Sequence, residues 1–452
     1  MKTIIAKRIW LAESDLRLDA SYHLSDGQLT LIAFKKSNIP TKPLKNVTDR
    51  IFYGGRSRRI YVNSPEFGLP FIKGADIIKA DFSNLKYISR KRTPNLKEYF
   101  LEEGWTTITR SGTIGNTAYI NKDFIGKAAS DDIIRVIPKS IPSGYLYAFL
   151  SSKNGKALLT HGTYGAVIQH IEPEHIENLP VPIFPTQQQQ TIHDLILESA
   201  NLRVKANEAL EKAVNYFNNR YSDKLILTTK VFNKNINDLT FSWAPYNNNI
   251  ECDAIENIIG KDKLTIDEIA TDVFAPPLFK HIYLTKDNGH PFLTGGELTQ
   301  NNPRYYRYLS PRGVKNILDY KVTKGTLLLY KSGTTDGGIL GNVFIVDDNL
   351  ASACLSDHVI RINIPDLKLS YWVFAFLKSI AGIRLLQKLA TGTMIPFITP
   401  ERLKSLVFPK PNKDFDTVVN HVSNYLEKRV LSNNKENQAI QIVEKEIEQW
   451  QQ

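Results

Sequence analysis

The feature that most constrains this sequence is an internal repeat. The segment GLPFIKGADI, which begins at Gly68, recurs as GHPFLTGGEL at Gly289, and RSGT at Arg110 recurs as KSGT, both 221 residues later. After a short insertion in the second copy, SDDIIRV at Ser130 corresponds to SDHVIRI at Ser356. Matches that keep their order over so long a stretch indicate two copies of one domain, because the period is much too long for a solenoid.

The segment that follows each copy also repeats. Residues 186–221 and 412–452 are polar and helix-forming, with apolar or small residues alternately three and four apart, which is a heptad seam. We predict two long helices that pair as an antiparallel coiled coil. The seam residues are Ile192, Leu195, Leu202, Ala206, Ala209 and Ala213 in the first helix and Val419, Val422, Leu426, Ile440, Val443, Ile447 and Trp450 in the second.

The second seam is interrupted by Arg429, Asn433 and Glu436, a pattern compatible with polar residues that set the register of a helix pair. The alternative is that each helix is amphipathic and lies on its own domain. A helix of about 30 residues is about 45 Å long. Antiparallel pairing would therefore hold the two domains at opposite ends of a rod.

Within each copy, short strand-like runs alternate with a few helical patterns, so we predict an α+β fold class. The predicted strands include residues 117–120, 132–137, 343–346 and 358–362, and the predicted helices are 145–159 and 371–389. The predicted domain layout is a first domain at 1–185, a central helix at 186–221, a second domain at 222–411 and a C-terminal helix at 412–452.

The charge balance favours a polyanionic partner. Lysine and arginine total 57 against 46 acidic residues, a net charge of +11. Basic and aromatic residues concentrate in segments that differ between the copies, and such side chains bind phosphates, grip guanine and stack on bases. The candidate DNA-binding residues are Arg56, Arg58, Arg59, Tyr61, Arg90, Lys91, Arg92, Arg110, Ser111 and Thr113 in the first copy and Lys280, His281, Arg304, Tyr305, Tyr306, Arg307, Lys331, Ser332 and Thr334 in the second. The alternative is that these are ordinary solvated loops.

We predict no catalytic residue, metal site or cofactor in this chain. The nearest match to an adenine methyltransferase motif, at Asn302, has arginine where a second proline belongs. The glycine-rich stretch 332–341 lacks the Gly-Lys-Ser/Thr ending of a phosphate-binding loop. No histidine and cysteine cluster has zinc spacing. The scattered acids Asp76, Asp131, Asp132 and Glu297 lack the pattern of a nuclease.

The cysteine content and the distribution of apolar residues suggest a cytoplasmic protein. Cys252 and Cys354 are the only cysteines, too few for a disulfide framework. Early charges argue against a signal peptide, and no run of 18 apolar residues would span a membrane.

The two domains, each followed by a long helix, resemble the specificity (S) subunit of type I restriction-modification systems. The junction IENLPVP at 176–182, followed by PTQQQ at 185–189, looks like that family's transition from domain to helix, and 402–409 is a weaker second copy. Residues 76–77 and 111–115 are also similar to the family's pattern inside each target recognition domain.

This resemblance implies a non-catalytic DNA-specificity subunit of a phage-defence system. Each target recognition domain would read one half of a bipartite double-stranded DNA target in the major groove, and the helices would fix the gap. Two methyltransferase (modification) subunits would bind the helices and use S-adenosylmethionine to methylate adenine at N6. A restriction subunit, powered by ATP with Mg²⁺, could join them. The alternatives are a stand-alone DNA-binding regulator or defence component without a methylase, and an enzyme with an unrecognised active site.

Overall fold

The computed structural model describes residues 8, 20–82, 85–161, 170–221, 233, 235–239, 244–304, 307–333, 340–392 and 394–450. The chain divides into two compact units, Met1–Val204 with Leu431–Gln452, and Lys205–Val430. Both divisions fall inside a long helix. Each unit therefore contains one mixed α and β part together with a piece of each long helix.

The first unit combines short strands with short helices. Its strands are β1 (Thr41–Pro43), β2 (Thr48–Tyr53), β3 (Tyr61–Val62), β4 (Gly68–Ile72), β5 (Lys86–Ser89), β6 (Thr106–Thr109), β7 (Thr117–Tyr119), β8 (Ala128–Ala129), β9 (Ile133–Pro138) and β10 (Pro180–Pro182). Its α-helices are α1 (Ala20–His23), α2 (Asp26–Lys36), α3 (Leu44–Val47), α4 (Ser143–Ser151), α5 (Lys153–Thr160) and α6 (Pro173–Ile176), followed by α7 (Thr186–Tyr221), which continues into the second unit.

The strands of the first unit form two four-stranded sheets, ordered β2-β9-β6-β7 and β3-β5-β4-β8, and a β1-β10 pair. Strand β9 lies inside the first sheet and is covered on both faces. Ile134 joins a core cluster with Tyr145 and Phe149, whereas Ile133 joins another with Ile72. Successive side chains of a strand point to opposite faces. A strand buried on both sides requires a mostly apolar sequence, which Ile133, Ile134 and Val136 provide around the buried Arg135.

The second unit repeats this arrangement. Its strands are β11 (Lys263–Thr265), β12 (Asp272–Phe274), β13 (Tyr283–Leu284), β14 (His290–Leu293), β15 (Arg307–Leu309), β16 (Leu327–Tyr330), β17 (Val343–Ile345), β18 (Cys354–Leu355), β19 (Val359–Asn363) and β20 (Val407–Pro409). Its helices are α8 (Ile250–Ile259), α9 (Ile266–Ile269), α10 (Gly295–Leu298), α11 (Leu367–Lys378), α12 (Ile380–Lys388) and α13 (Pro400–Lys404), followed by α14 (Phe415–Gln449).

The sheet orders confirm that the two halves are copies of one fold. The second unit has sheets β12-β19-β16-β17 and β13-β15-β14-β18 and the pair β11-β20, which match the first unit strand for strand. Even the parallel pairing recurs, since β4 pairs with β8 and β14 with β18 in parallel, whereas the other strand pairs of these sheets are antiparallel. The predicted α+β fold class is confirmed.

One sequence prediction about helices was wrong. Each of the predicted helices 145–159 and 371–389 is two helices, α4 with α5 and α11 with α12. Ser152 and Ser379 have extended backbones and cap the second helix of each pair through their side chains. A side chain at Gly155 would lie 2.0 Å from the Phe149 carbonyl, and at Gly382 2.2 Å from the Phe376 carbonyl, so the sharp break needs glycine there.

A buried arginine anchors the same turn in both units. In the first unit, Arg135 donates hydrogen bonds to the carbonyl oxygens of Ala129, Ser130 and Ile133 at 2.6–2.9 Å. Arg361 makes the corresponding bonds in the second unit. Burial lowers the pKa of each arginine to about 10, and nearby acidic groups oppose this shift. These arginines are structural, because they tie the strand before the turn to the strand after it.

In the first unit, the parts of α7 and α14 run antiparallel. Gln188 bonds to Glu446 at 3.1 Å, and farther along α7 the Ser199 hydroxyl donates to the Ser432 carbonyl at 2.8 Å. The same helices also lie on the domain. The seam residues Ile192, Ile440, Val443 and Ile447 are buried in the domain core, and Leu195 and Trp450 pack against it, whereas Leu202 is half-buried.

In the second unit, the seam residues likewise pack on the domain. Ala206, Ala213, Val419, Val422 and Leu426 are buried in one core, and Ala209 packs against it. Helix pairing and packing on the domain are thus combined rather than alternatives. The apolar face is wider than the predicted seam, since it also includes Phe217, Tyr221, Val418 and Tyr425.

The polar residues on the second seam are buried and paired. In the first unit, Glu436 accepts hydrogen bonds from Arg203, at 2.7 Å, and from the Tyr147 hydroxyl, while Arg203 also reaches Asn433 at 3.2 Å. In the second unit, Arg429 lies 3.4 Å from Asp347. Their burial with partners is what polar groups inside a helix pair require.

Two features of the described part of the chain concern membrane and metal binding. No single helix there has the length and apolar character to cross a membrane, although the bent pair α11 and α12 meets those criteria by length and composition. No group of three or more histidine, cysteine or acidic residues within the described ranges is arranged to hold a metal ion.

Candidate nucleic-acid interface

The loop between β2 and β3 presents the first basic cluster. Arg56 and Arg58 are exposed, and the side chain of Arg56 retains 66% of its accessible surface. Tyr99 fixes the backbone of this loop. Its hydroxyl donates to the Gly55 carbonyl at 2.6 Å and lies 2.8 Å from the Ser57 hydroxyl. Two arginines are therefore displayed on an ordered segment, so less conformational freedom is lost on binding.

Arg59 has a different environment from its neighbours. Its guanidinium donates to Asp131 at 2.6 Å and to Asp132 at 2.8 Å. Asp132 in turn accepts from the Ser111 hydroxyl at 2.9 Å, and that hydroxyl lies 3.0 Å from His170 Nδ1. The acidic pair thus connects the arginine loop with the repeated Ser-Gly-Thr segment that begins at Ser111.

The electrostatics of this network keep it ionised. Partial burial acts to raise the pKa of Asp132, but hydrogen bonds from Arg59 and Ser111 outweigh it and hold that pKa below its usual value. The carboxylate is therefore charged at neutral pH. Arg59 is an anchor of the loop in this structure, whereas the exposed Arg56 has a longer ion pair, with its Nε 4.0 Å from Asp131.

Arg110 does not have the exposed position expected of a DNA-contact residue. Its side chain is 2% exposed, it forms a bidentate pair with Glu172, and its guanidinium lies 4.4 Å from the centre of the Tyr53 ring. The turn that follows is a hairpin between β6 and β7, in which Gly112 and Gly115 have positive φ angles. Thr113 is exposed at its tip.

The other basic cluster of the first unit follows β5. Arg90, Lys91 and Arg92 are exposed, and Arg90 Nε donates to the Gly68 carbonyl at 2.9 Å. Tyr61 lies on the same sheet, is 41% exposed and has the Lys86 ammonium 5.9 Å from its ring centre. Lys86 was not among the sequence-predicted residues.

The second unit presents a more aromatic surface. Lys280 and His281 are exposed, and the His281 ring lies 4.6 Å from that of Phe279 and 5.2 Å from that of Phe292. Arg304, Lys331 and Ser332 are half-buried. The predicted residues Tyr305, Tyr306 and Thr334 lie outside the described residues.

Both units place a cation over a tyrosine at corresponding positions. Arg307 lies 5.9 Å from the ring centre of Tyr283, as Lys86 does from Tyr61, and Arg307 also pairs with Glu297 at 2.6 Å. Tyr283 and Lys86 were both missed by the sequence analysis. Comparison of the two copies could have found them, because β13 and β15 occupy the places of β3 and β5.

The structure therefore connects some predicted residues and separates others. Arg56, Arg59 and Ser111 meet at the acidic pair, whereas Arg90 is tied to Gly68 at the start of β4 in the second sheet. Exposed basic groups beside tyrosines can contact phosphates and bases.

Comparisons with known proteins bear on this interpretation. Residues 68–216 match the family model of the type I restriction modification DNA specificity domain. No curated protein matches the sequence significantly.

Two solved structures are similar over most of their length. The type I restriction-modification system S subunit from M. genitalium has a TM-score of 0.33 and 12% identity, with 92% of this chain and 94% of that chain covered. The HsdS subunit from Thermoanaerobacter tengcongensis has a TM-score of 0.28 and 14% identity, covering 89% and 96% respectively. At these values the structural similarity by itself establishes no shared function.

The matched segment contains most of the strands of the first unit and the larger part of α7. It is the segment in which the domain-to-helix junction and the Ser-Gly-Thr turn carried the resemblance. Residues 68–216 are thus similar to the type I restriction modification DNA specificity domain.

Proposed function

We propose that this chain is the specificity subunit of a type I restriction-modification assembly and reads a bipartite duplex with a fixed gap. The observation that carries the proposal is one fold present twice with different exposed residues. The sheet orders are identical, whereas the surface groups differ, with arginines in the first unit and His281 among aromatic rings in the second. A common scaffold with unlike surfaces suits two readers of unlike base sequences.

Recognition would use two kinds of contact. Lysine and arginine side chains neutralise phosphates and set affinity, whereas bidentate arginine contacts to guanine and stacking by tyrosine set sequence preference. Arg56 and Arg58 are exposed on an ordered loop and are the best candidates for base contact in the first unit. The net charge of +11 supports attraction to DNA.

The partners follow from the family. Two modification subunits, holding S-adenosylmethionine, would methylate adenine at N6, and a restriction subunit using ATP and Mg²⁺ would join where one is present. We assign no catalytic residue and no cofactor to this chain. The helices α7 and α14 are the elements on which the modification subunits would dock.

The test is a map of N6-methyladenine in the source genome with and without this gene. The expected result is loss of methylation at one motif made of two short blocks with a constant gap. Complementation with wild-type chain should restore it, and the double variant Arg56→Ala/Arg58→Ala should relax or abolish recognition of one block only. Arg312→Ala is the matched arginine control, because Arg312 lies on a short helix of the second unit and not on the loop between β2 and β3.

If no motif changes on deletion, the proposal of a methylase-directing subunit fails. A stand-alone DNA-binding protein would then be tested by selecting bound duplexes from a random pool. Loss of both blocks in the double variant would show that the loop does not read one half-site.

A further inference from the structure

A short loop in the second unit displays apolar side chains in solvent. Met394 is 91% exposed and Ile395 is 68% exposed, the first of these being the highest value among the large apolar residues that the structure describes. Pro396 and Phe397 follow, and Phe397 is 38% exposed. A single exposed apolar residue needs no explanation, but adjacent ones at the tip of a fixed loop form a distinct feature.

The base of this loop is firmly held. Thr391 and Phe397 exchange two backbone hydrogen bonds, at 2.8 and 2.7 Å. Gly392 has a φ angle of +93°, which favours glycine, and its carbonyl accepts from the Tyr246 hydroxyl at 2.7 Å. The side chain of the buried Asn247 donates to the Ala390 carbonyl at 2.7 Å just before the loop. The tip is therefore presented by a rigid support.

The loop is joined to Lys331 and Ser332, two of the predicted DNA-binding residues of the second unit. Ile398 N–H donates to the Lys331 carbonyl at 2.8 Å, and Gly333 N–H donates to the Pro396 carbonyl at 3.1 Å. Phe397 also bridges to Ser332. The exposed tip and residues 331–333 are consequently parts of one backbone ladder, so a DNA phosphate at Lys331 would bring the tip against the duplex.

The chemistry of the tip favours DNA over a protein as its partner. A stable protein interface buries about 800 Å² on each partner. The side chains of Met394 and Ile395 beside Lys331 do not supply so large a surface. Methionine, isoleucine, proline and phenylalanine are, by contrast, residues that proteins insert between base steps to unstack and kink a duplex. The positive net charge of the chain and the adjoining Lys331 provide the electrostatic complement to the DNA backbone.

We propose that Met394 and Ile395 form an apolar wedge that enters a groove of the DNA and partly unstacks a base step in the half-site of the second unit. The inference rests on the proposed function and adds to it a means of reading DNA deformability. A step that unstacks readily would be preferred at this position, even without a hydrogen bond to either base.

The test uses the full chain, purified with its partner subunits, and duplexes carrying the motif found by methylation mapping. A 2-aminopurine is placed at successive positions of the second half-site. We expect a several-fold rise in fluorescence at one step on binding, because unstacking relieves quenching. The variant Met394→Ala/Ile395→Ala should lose this rise and bind the motif about tenfold more weakly, equivalent to roughly one mismatched base pair. Leu318→Ala, which removes another exposed apolar side chain of the same unit, should change neither.

The failures are distinguishable. If the wild-type assembly binds no duplex selectively, the proposed function fails. If it binds selectively but fluorescence rises at no step, or rises equally in the double variant, the wedge is wrong and the proposed function stands. If the double variant keeps full DNA binding and loses a partner subunit during purification, the tip is a protein contact, which also overturns the wedge.

Discussion

Arginine has three distinct roles in the first unit, and its surroundings decide which. Arg56 and Arg58 are exposed, Arg59 is bound by two carboxylates, and Arg110 and Arg135 are buried. Sequence position alone does not separate these cases, because the partners Asp131, Asp132 and Glu172 are brought in by long-range folding. The exposed Arg56 and Arg58 present charge to an incoming ligand, and the contact of Arg56 with Asp131, at 4.0 Å, is longer than those of Arg59.

The clearest stability prediction concerns Arg135. The Arg135→Ala variant leaves the buried carbonyl groups of Ala129, Ser130 and Ile133 without their donor, and we expect it to reduce the free energy of unfolding by about 3 kcal/mol. Lysine at this position should recover only part of the loss, since it lacks the planar fork of donors. Urea denaturation followed by tryptophan fluorescence measures the change.

Arg90→Ala is the matched control for this prediction. Arg90 also donates to a backbone carbonyl, but it is exposed, so its loss should cost no more than about 0.5 kcal/mol. Equal stability of the Arg135→Ala and Arg90→Ala variants would contradict a structural role for the buried guanidinium.

Heptad periodicity identified the two long helices but did not show that they also pack on the domain cores. The seam from Ile192 to Ile447 was predictable because the heptad spacing is a local property of the sequence. That both helices also cover a domain core was not, because the extra apolar residues, such as Tyr221 and Tyr425, occur where the seam pattern does not require them. The breaks at Ser152 and Ser379 were missed, although each is followed three residues later by a glycine, Gly155 or Gly382, that the break needs.

The buried ion pair between Arg203 and Glu436 tests whether paired charges stabilise the packing of α7 against α14. The side chains are 14% and 5% exposed and 2.7 Å apart. Removing one partner by Arg203→Met or Glu436→Leu leaves the other charge uncompensated, and we expect a loss of about 3–5 kcal/mol in each case. The double variant should lose far less than the sum of the two losses.

The exposed pair of Lys435 and Glu198, at 2.8 Å on the same two helices, is the control. Because it is solvated, Lys435→Met should cost no more than about 1 kcal/mol. Additive losses in the double variant of Arg203 and Glu436 would show that the two charges do not stabilise the helix pair through each other.

The duplication of the fold says more about the organisation of the chain than any single motif does. The repeat in the sequence was sufficient to predict two equivalent domains, since matching turns and strands imply matching topology. Their contact surfaces were less predictable, because the loops diverge and side-chain partners come from distant segments. If the long helices fix the separation of the two readers, as we propose, the gap in the DNA target must be fixed in the same way.

This coupling predicts how binding responds to the length of the gap. One added base pair rotates one half-site about the duplex axis by about 34–36° relative to the other, because a turn of B-DNA contains 10–10.5 base pairs. We expect that insertion to weaken binding of the assembly at least about tenfold. Ten added base pairs restore the rotation but lengthen the gap by about 34 Å, a mismatch that stiff helices cannot absorb, so this duplex should also bind weakly. Competition binding on matched duplexes at constant salt measures both effects. A flexible connection would instead tolerate the ten-base-pair insertion, and equal affinity for that duplex would show that the helices do not set the gap.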